Sequence, residues 1–212
     1  YNSYHLLMDG SYKSKFVYDI HTLFKNKKSH SHNVNLPLLD DDHNTFISEH
    51  SMHTSQLAVL LGNELNLSDS QLEELRLAAL YHDIGKTKIP VEIINKPGPL
   101  NDQEWQIMKR HTLYSYHLLL KYFPNSRIPD YAKHHHERMD GKGYPDGLKG
   151  YQIPKLSRIL SVVDAYEAMT SDRPYKNALT KQEAITELQK HAGKQFDNTI
   201  VNVFINNVLK QQ

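Results

Sequence analysis

From Thr45 onward the apolar residues recur at helical spacing, and almost nowhere do they alternate as strands require. Leu57, Leu60, Leu61 and Leu65 mark one stripe, and Ser68 with Gln71 makes a capping box ahead of a second, Leu72, Leu75 and Ala79. His82 falls on the same face as that second stripe. Asn101 and Glu104 make another box, and Trp105, Met108 and His111 follow it in a helix predicted to continue until Pro124 forbids it. A further helix is predicted to open at Pro129-Asp130 and to run to Gly141 and Gly143, which sets His135 and His136 on its last turns. Pro154 permits a helix through Ile159, Val163, Tyr166 and Met169, inside which Asp164 is a carboxylate in need of a partner. Thr180 with Glu183, and then Asp197, introduce two more helices. The expected fold class is all-α, a helical bundle.

Residues 1–44 have a different character. A short helix is expected over residues 16–24, followed by a polar stretch rich in Asp and His. We read this part as an incomplete N-terminal segment and linker, with His30 and His32 solvated, and residues 45–212 as one domain. A hydrophobic fraction of 39% in 212 residues is enough to build one core with an appendage. The net charge is +1 and the basic residues are dispersed, which argues against a nucleic-acid polymer or an anionic membrane surface as partner. No apolar run approaches the ~20 residues a membrane span needs, and no signal peptide is recognisable ahead of the domain. The chain opens on Tyr1 and is expected to be a piece of a longer protein.

Chemistry narrows the picture further. With no cysteine in the chain, disulfides, zinc–thiolate sites and thiol catalysis are excluded, and any metal is held by nitrogen and oxygen, which favours iron, manganese or a similar cation. Tyr81-His82-Asp83-Ile84-Gly85-Lys86 pairs a neutral nitrogen donor with an anionic oxygen donor able to bridge two cations, and places Lys86 where it can meet a phosphate charge. Taken alone, the pair also reads as an ordinary helix end closed by Gly85. The chain holds 14 histidines, however, and His50, His82, Asp83, His111, His135, His136 and Asp164 fall on several different helices beside apolar residues that turn them inward. Helical bundles build metal sites from facing helices in this way.

The series His50-Ser51, Leu77 to Lys86, Ile94-Asn95-Lys96-Pro97-Gly98, Lys109-Arg110-His111, His135-His136-Glu137-Arg138, Asp140 to Leu148 with Gly143-Tyr144-Pro145 at its centre, and Asp164 to Tyr175 closely resembles the HD-GYP family of metal-dependent phosphohydrolases, from about His50 to Asn207. The resemblance implies an all-α HD-domain bundle that hydrolyses the bacterial second messenger cyclic di-GMP to linear pGpG or to GMP. It implies two divalent metal ions, Fe or Mn, with His50, His82, Asp83 and Asp164 around one, His111, His135 and His136 around the other, and Asp83 between them. Such a pair shares a hydroxide and clamps both the attacking and the leaving oxygen of an in-line displacement. Lys86 then stabilises the phosphate oxygens. Tyr144, shaped by Pro145 and the glycines around it, forms a wall near the nucleotide, and Arg173 and Lys176 match positions near the phosphate or base.

Some family members hold a third metal with a glutamate four residues before the first histidine; here that residue is Phe46, and Glu49 is offset on the helix, so two metals and accumulation of the linear product are expected. Three alternatives remain at this point: a catalytically silent dinucleotide receptor or adapter that docks a protein partner through the GYP loop, a phosphodiesterase for 3′,3′-cyclic GMP-AMP, and another HD-type nucleotide phosphohydrolase. The expected location is the bacterial cytoplasm, within a longer sensor or regulator.

Overall fold

The structure is a computed structural model and describes residues 42–171 and 178–211, with side chains from Glu49 to Lys210. The expected short helix at residues 16–24, His30, His32, the side chain of Phe46, and both Arg173 and Lys176 lie outside the described residues. Asp42–Gln212 forms a compact unit of its own. Its helices are α1 (Asp42–Glu64), α2 (Asp69–Tyr81), α3 (Val91–Ile94), α4 (Asp102–Lys109), α5 (His111–Tyr122), α6 (Ile128–Lys133), α7 (Lys155–Thr170), α8 (Lys181–His191) and α9 (Asn198–Val203). Tight 3-10 turns cover Ile84–Lys88, Gly150–Gln152 and Leu209–Gln211, and a π turn covers Phe204–Val208. Among the described residues no strand occurs; a single bridge joins Ala192 and Phe196. No described helix is long and apolar enough to cross a membrane.

The bundle is organised around α7, which packs against α1, α2, α6, α8 and α9. Leu156, Ile159, Leu160, Val162 and Val163 are all buried, so this helix is apolar on more than one face and belongs at the centre. Ala58 and Leu61 of α1 and Leu75, Ala78 and Ala79 of α2 are fully buried and supply the facing surfaces. Each buried leucine or isoleucine there contributes about 1.5–3 kcal/mol of transfer free energy. The capping boxes expected at Ser68/Gln71, Asn101/Glu104 and Thr180/Glu183 are all formed, and Asp197 caps α9 through the N–H groups of Thr199 and Ile200.

Two expectations are corrected. The helix predicted from Asn101 to Pro124 is broken at Arg110 into α4 and α5. The carbonyls that a continuous helix would give to N–H groups four residues on go elsewhere: that of Ile107 to the Arg110 N–H at 3.0 Å, that of Met108 to His111 Nδ1 at 2.8 Å, and that of Lys109 to the Thr112 hydroxyl at 3.0 Å. The helix predicted to reach the glycines ends at Lys133, so His135 and His136 lie in the turn beyond α6 instead of on its last turns. A three-residue run of histidines competes poorly for helix, and His134 and His135 spend their Nδ1 atoms on the carbonyls of Asp130 and Ala132.

Candidate metal centre

Helix ends aim the histidines. His82 caps the C-terminus of α2, His111 begins α5 and His135 follows α6. In each case Nδ1 lies against a carbonyl three residues earlier in the same chain segment: Ala79 at 2.7 Å, Met108 at 2.8 Å and Ala132 at 2.6 Å. A carbonyl only accepts, so Nδ1 carries the proton and donates it, and in the neutral ring Nε2 is left as a bare donor atom for a cation. His50 reaches the same result by another route, its Nδ1 meeting the buried carboxylate of Glu167 while Nε2 points to Asp164. Gly85 fixes the turn after Asp83, because a Cβ there would stand 2.0 Å from the His111 carbonyl oxygen. Ser115 closes the same contact from α5, accepting the Gly85 N–H at 2.9 Å and donating to the His82 carbonyl at 2.6 Å.

The seven expected donors converge in two clusters, Asp83 with His111, His135 and His136, and His50 with His82 and Asp164, the donor atoms of each lying within 4.8 Å of one another. Asp83 joins them: Oδ1 is 3.3 Å from His111 Nε2 and 4.0 Å from His135 Nε2, and Oδ2 is 3.3 Å from His82 Nε2. Asp164 Oδ1 is 3.0 Å from His50 Nε2 and 3.4 Å from His82 Nε2. Nε2 of His82, His111 and His135 and Oδ1 of Asp83 are buried without a hydrogen-bond partner, so the approaches of His111 and His135 to Asp83 are ion-pair distances lacking hydrogen-bond geometry. Buried lone pairs gathered on one point are costly unless a cation satisfies them. A set of imidazoles and carboxylates without thiolate fits divalent cations of the borderline class.

Electrostatics point the same way. Burial opposes charge on His50 and His82, yet hydrogen bonds to Asp164 and Glu167 raise the first, and the neighbouring Asp83 and Asp164 push the second up to about 10. His111, His135 and His136 have fewer carboxylates, and burial lowers all three, His136 to about 3. Burial works against ionised Asp83 and Asp164, but Lys86 and His82 for the one, and His50 and His82 for the other, hold them well below the usual carboxylate range. Lys86 Nζ sits 2.5 Å from Asp83 Oδ2. The carboxylates of the first cluster thus favour positive charge between its donors, while burial keeps the imidazoles of the second neutral, the form that can donate to a cation.

Tyr144 lies on the rim. Its N–H meets the His136 carbonyl at 3.3 Å, its ring is 4.9 Å from that of His136, and burial raises its phenol. The loop that carries it folds back tightly on residues 134–138. A Cβ on Gly143 would be 2.5 Å from the Glu137 Cα, the Glu137 carboxylate accepts the N–H groups of Asp146 and Gly147 at 2.7 and 3.0 Å, and Asp146 receives Lys133 and His134 at 2.6 and 2.9 Å. Sequence reasoning assigned no role to Glu167, Glu137 or Ser115. For Glu167 a signal existed, since it follows Asp164 by three residues and therefore shares its helix face.

The sequence profile of the HD domain matches residues 33–200. The cyclic di-GMP phosphodiesterase PA4108 of Pseudomonas aeruginosa is 41% identical over 157 residues, 74% of this chain and 38% of that protein. The 3′3′-cGAMP-specific phosphodiesterase 1 of Vibrio cholerae is 35% identical over 168 residues, 79% of this chain and 39% of that protein. The cyclic di-GMP phosphodiesterase response regulator RpfG of Xanthomonas campestris is 39% identical over 155 residues, 71% of this chain and 40% of that protein. The chain thus spans about two fifths of the length of these relatives. Among solved structures, the HDG"Y"P protein Bd1817 from Bdellovibrio bacteriovorus matches with a TM-score of 0.64 at 22% identity, over 80% of this chain and 54% of that one. The V. cholerae phosphodiesterase V-cGAP3 matches with a TM-score of 0.59 at 18% identity, over 76% and 44%. At these identities the structural matches show the fold.

Proposed function

The chain belongs to the HD domain family, in its HD-GYP branch, and from that premise we propose that residues 45–212 are a metal-dependent phosphodiesterase domain that opens cyclic di-GMP to linear pGpG. The observation that carries this reading is the placement of Asp83 between two donor clusters in which Nε2 of His82, His111 and His135 is buried without a partner. His50, His82, Asp83 and Asp164 would hold one divalent ion, and Asp83, His111, His135 and His136 a second, with Fe or Mn as the expected metals. When bound, such ions supply Lewis acidity to a phosphodiester and to water.

The remaining work falls to the chain itself. The carbonyl-anchored imidazoles keep fixed orientations, so the donor set does not have to reorganise when substrate arrives. Lys86, 27% exposed and drawn to Asp83, is the cation placed to meet charge that develops on the phosphate oxygens. Tyr144 covers the second cluster, keeps bulk water from that side and offers a ring face to a base. Arg173 and Lys176, carried on the segment after α7, are assigned to the phosphate and base of the substrate on the strength of the family motif alone.

The test loads the protein anaerobically with iron or manganese, mixes it with cyclic di-GMP and with 3′,3′-cyclic GMP-AMP, and follows products in time. Cleavage of cyclic di-GMP with accumulation of pGpG is expected. Preferential cleavage of 3′,3′-cyclic GMP-AMP would move the substrate to that of the V. cholerae relative, at 35% identity. Binding without cleavage of either would favour the second reading, a receptor docking a protein partner beside the GYP loop, for which the observation is Tyr151, 80% exposed just past that loop.

A further inference from the structure

An unbroken series of rings leads outward from the second cluster. His135, fully buried, lies 3.9 Å from His136, His136 lies 4.9 Å from Tyr144, and Tyr144 lies 6.0 Å from Trp105, all between ring centroids. Trp105 is 44% exposed. The helix that carries it buries none of its residues completely, so packing of the core does not account for a tryptophan at this position. An exposed aromatic by itself says little. Here, however, the indole stands at 82° to the Tyr144 ring, so the two rings form a corner next to His136 of the second cluster. Lys109, one helical turn further along α4, brings its ammonium to 6.0 Å from the Tyr144 centroid. The position is held: Glu104, next to Trp105, receives Lys96 at 2.6 Å and closes the capping box of α4.

We propose that Trp105 is a substrate-binding residue, a stacking wall for a guanine base of the cyclic dinucleotide, with Tyr144 as the other side of the corner and Lys109 as the nearby positive charge. A base has a flat polarisable face and a polar edge, and two perpendicular rings meet both, one by stacking and one by edge contact. Lys109 suits the negative ring of phosphates to which such a base is attached. Stacking of this kind tolerates any purine, so Trp105 strengthens binding without choosing between guanine and adenine. Choice between cyclic di-GMP and 3′,3′-cyclic GMP-AMP must then come from groups that reach the base edges.

This inference rests on the phosphodiesterase reading, and the test separates the two. Trp105 is the only tryptophan of the chain, so its emission reports on this corner alone. Manganese-loaded wild-type protein is titrated with a non-hydrolysable phosphorothioate analogue of cyclic di-GMP, by calorimetry and by tryptophan fluorescence in parallel. Quenching that follows the calorimetric isotherm is expected. Trp105→Leu, which keeps apolar bulk without a flat ring, is expected to weaken binding about tenfold, and Trp105→Phe to stay near wild type, with bound manganese unchanged in both. Calorimetric binding that leaves the emission unchanged, or equal affinities in wild type and Trp105→Leu, would overturn the role of Trp105 and leave the phosphodiesterase reading standing. A loss of turnover in Trp105→Leu at unaltered affinity would make the residue a support for Tyr144 and also overturn the proposal. Absence of calorimetric binding to wild type would sink both readings.

Discussion

His50, His82 and Asp164 reach their cluster from α1, the end of α2 and α7, whereas His111, His135 and His136 come from the start of α5 and the turn after α6. Asp83 serves both. In the first cluster two imidazoles face Asp83 and Asp164, with Glu167 behind, and the carboxylates overcome burial and raise both histidines. In the second, three imidazoles share one carboxylate, burial wins, and all three stay readily neutral. Burial opposes charge on all five imidazoles, and the ratio of carboxylate to imidazole decides where it is overcome. A divalent ion in the first cluster would be largely neutralised by its donors, and one in the second would keep more of its charge to polarise a ligand.

The largest effect is expected where the two clusters meet. Asp83→Ala removes the shared carboxylate, and hydrolysis should fall below detection with helical content retained; full activity in a protein of measured metal content would end the bridging role. Lys86→Ala leaves every donor in place, so metal content should hold while turnover drops about two to three decades, the cost of losing one preorganised charge donor. Weaker substrate binding at unchanged turnover would make Lys86 a docking residue.

A selective change comes next. Glu167→Ala frees the Nδ1 side of His50 and should loosen the first cluster's ion about tenfold to a hundredfold while sparing the second. Stepwise metal titration reads this directly, and parallel weakening of both steps would contradict it. The smallest effect belongs to an ion pair outside the clusters, Arg138–Asp140 at 2.8 Å, whose guanidinium lowers the Asp140 carboxyl to about 2. Since the folded value lies below the unfolded value of about 3.9, its stabilisation is present above that pH and is lost as pH falls from about 4 towards about 2. Asp140→Asn should remove that acid limb and cost less than about 1 kcal/mol at neutral pH, as solvent screens a partly exposed pair; denaturant melts across this range would show it.

The convergence of the candidate donors was legible in part from the apolar stripes that turn His50, His82, His111 and Asp164 inward, while their division into two ligand sets came from the family motif. What the sequence hid was local competition for carbonyls. Nothing in Lys109-Arg110-His111 announces that His111 and Thr112 side chains would take the carbonyls of Met108 and Lys109 and split a helix in two. The same competition drew His135 and His136 out of the helix predicted to hold them, and the turn that results is what brings His136 under Tyr144. Glu167 escaped for a different reason: a glutamate in an apolar stretch announces that it has a partner without naming His50, 117 positions away in sequence.

Clamping four of the five imidazoles through Nδ1 also bears on which ion the protein keeps. His82, His111 and His135 spend Nδ1 on a backbone carbonyl and His50 spends it on Glu167, so these rings cannot swing outward to follow a larger ion. A cage that cannot swell discriminates by radius and by preferred donor, where a pliant one would follow the general order of affinities. Calcium, which asks for six to eight oxygens at about 2.3–2.6 Å, finds too few oxygens and too little room among five imidazoles and two carboxylates. Magnesium is small enough to fit, but it prefers oxygen donors and retained water, so five imidazole nitrogens would turn it away by donor type where calcium is turned away by radius.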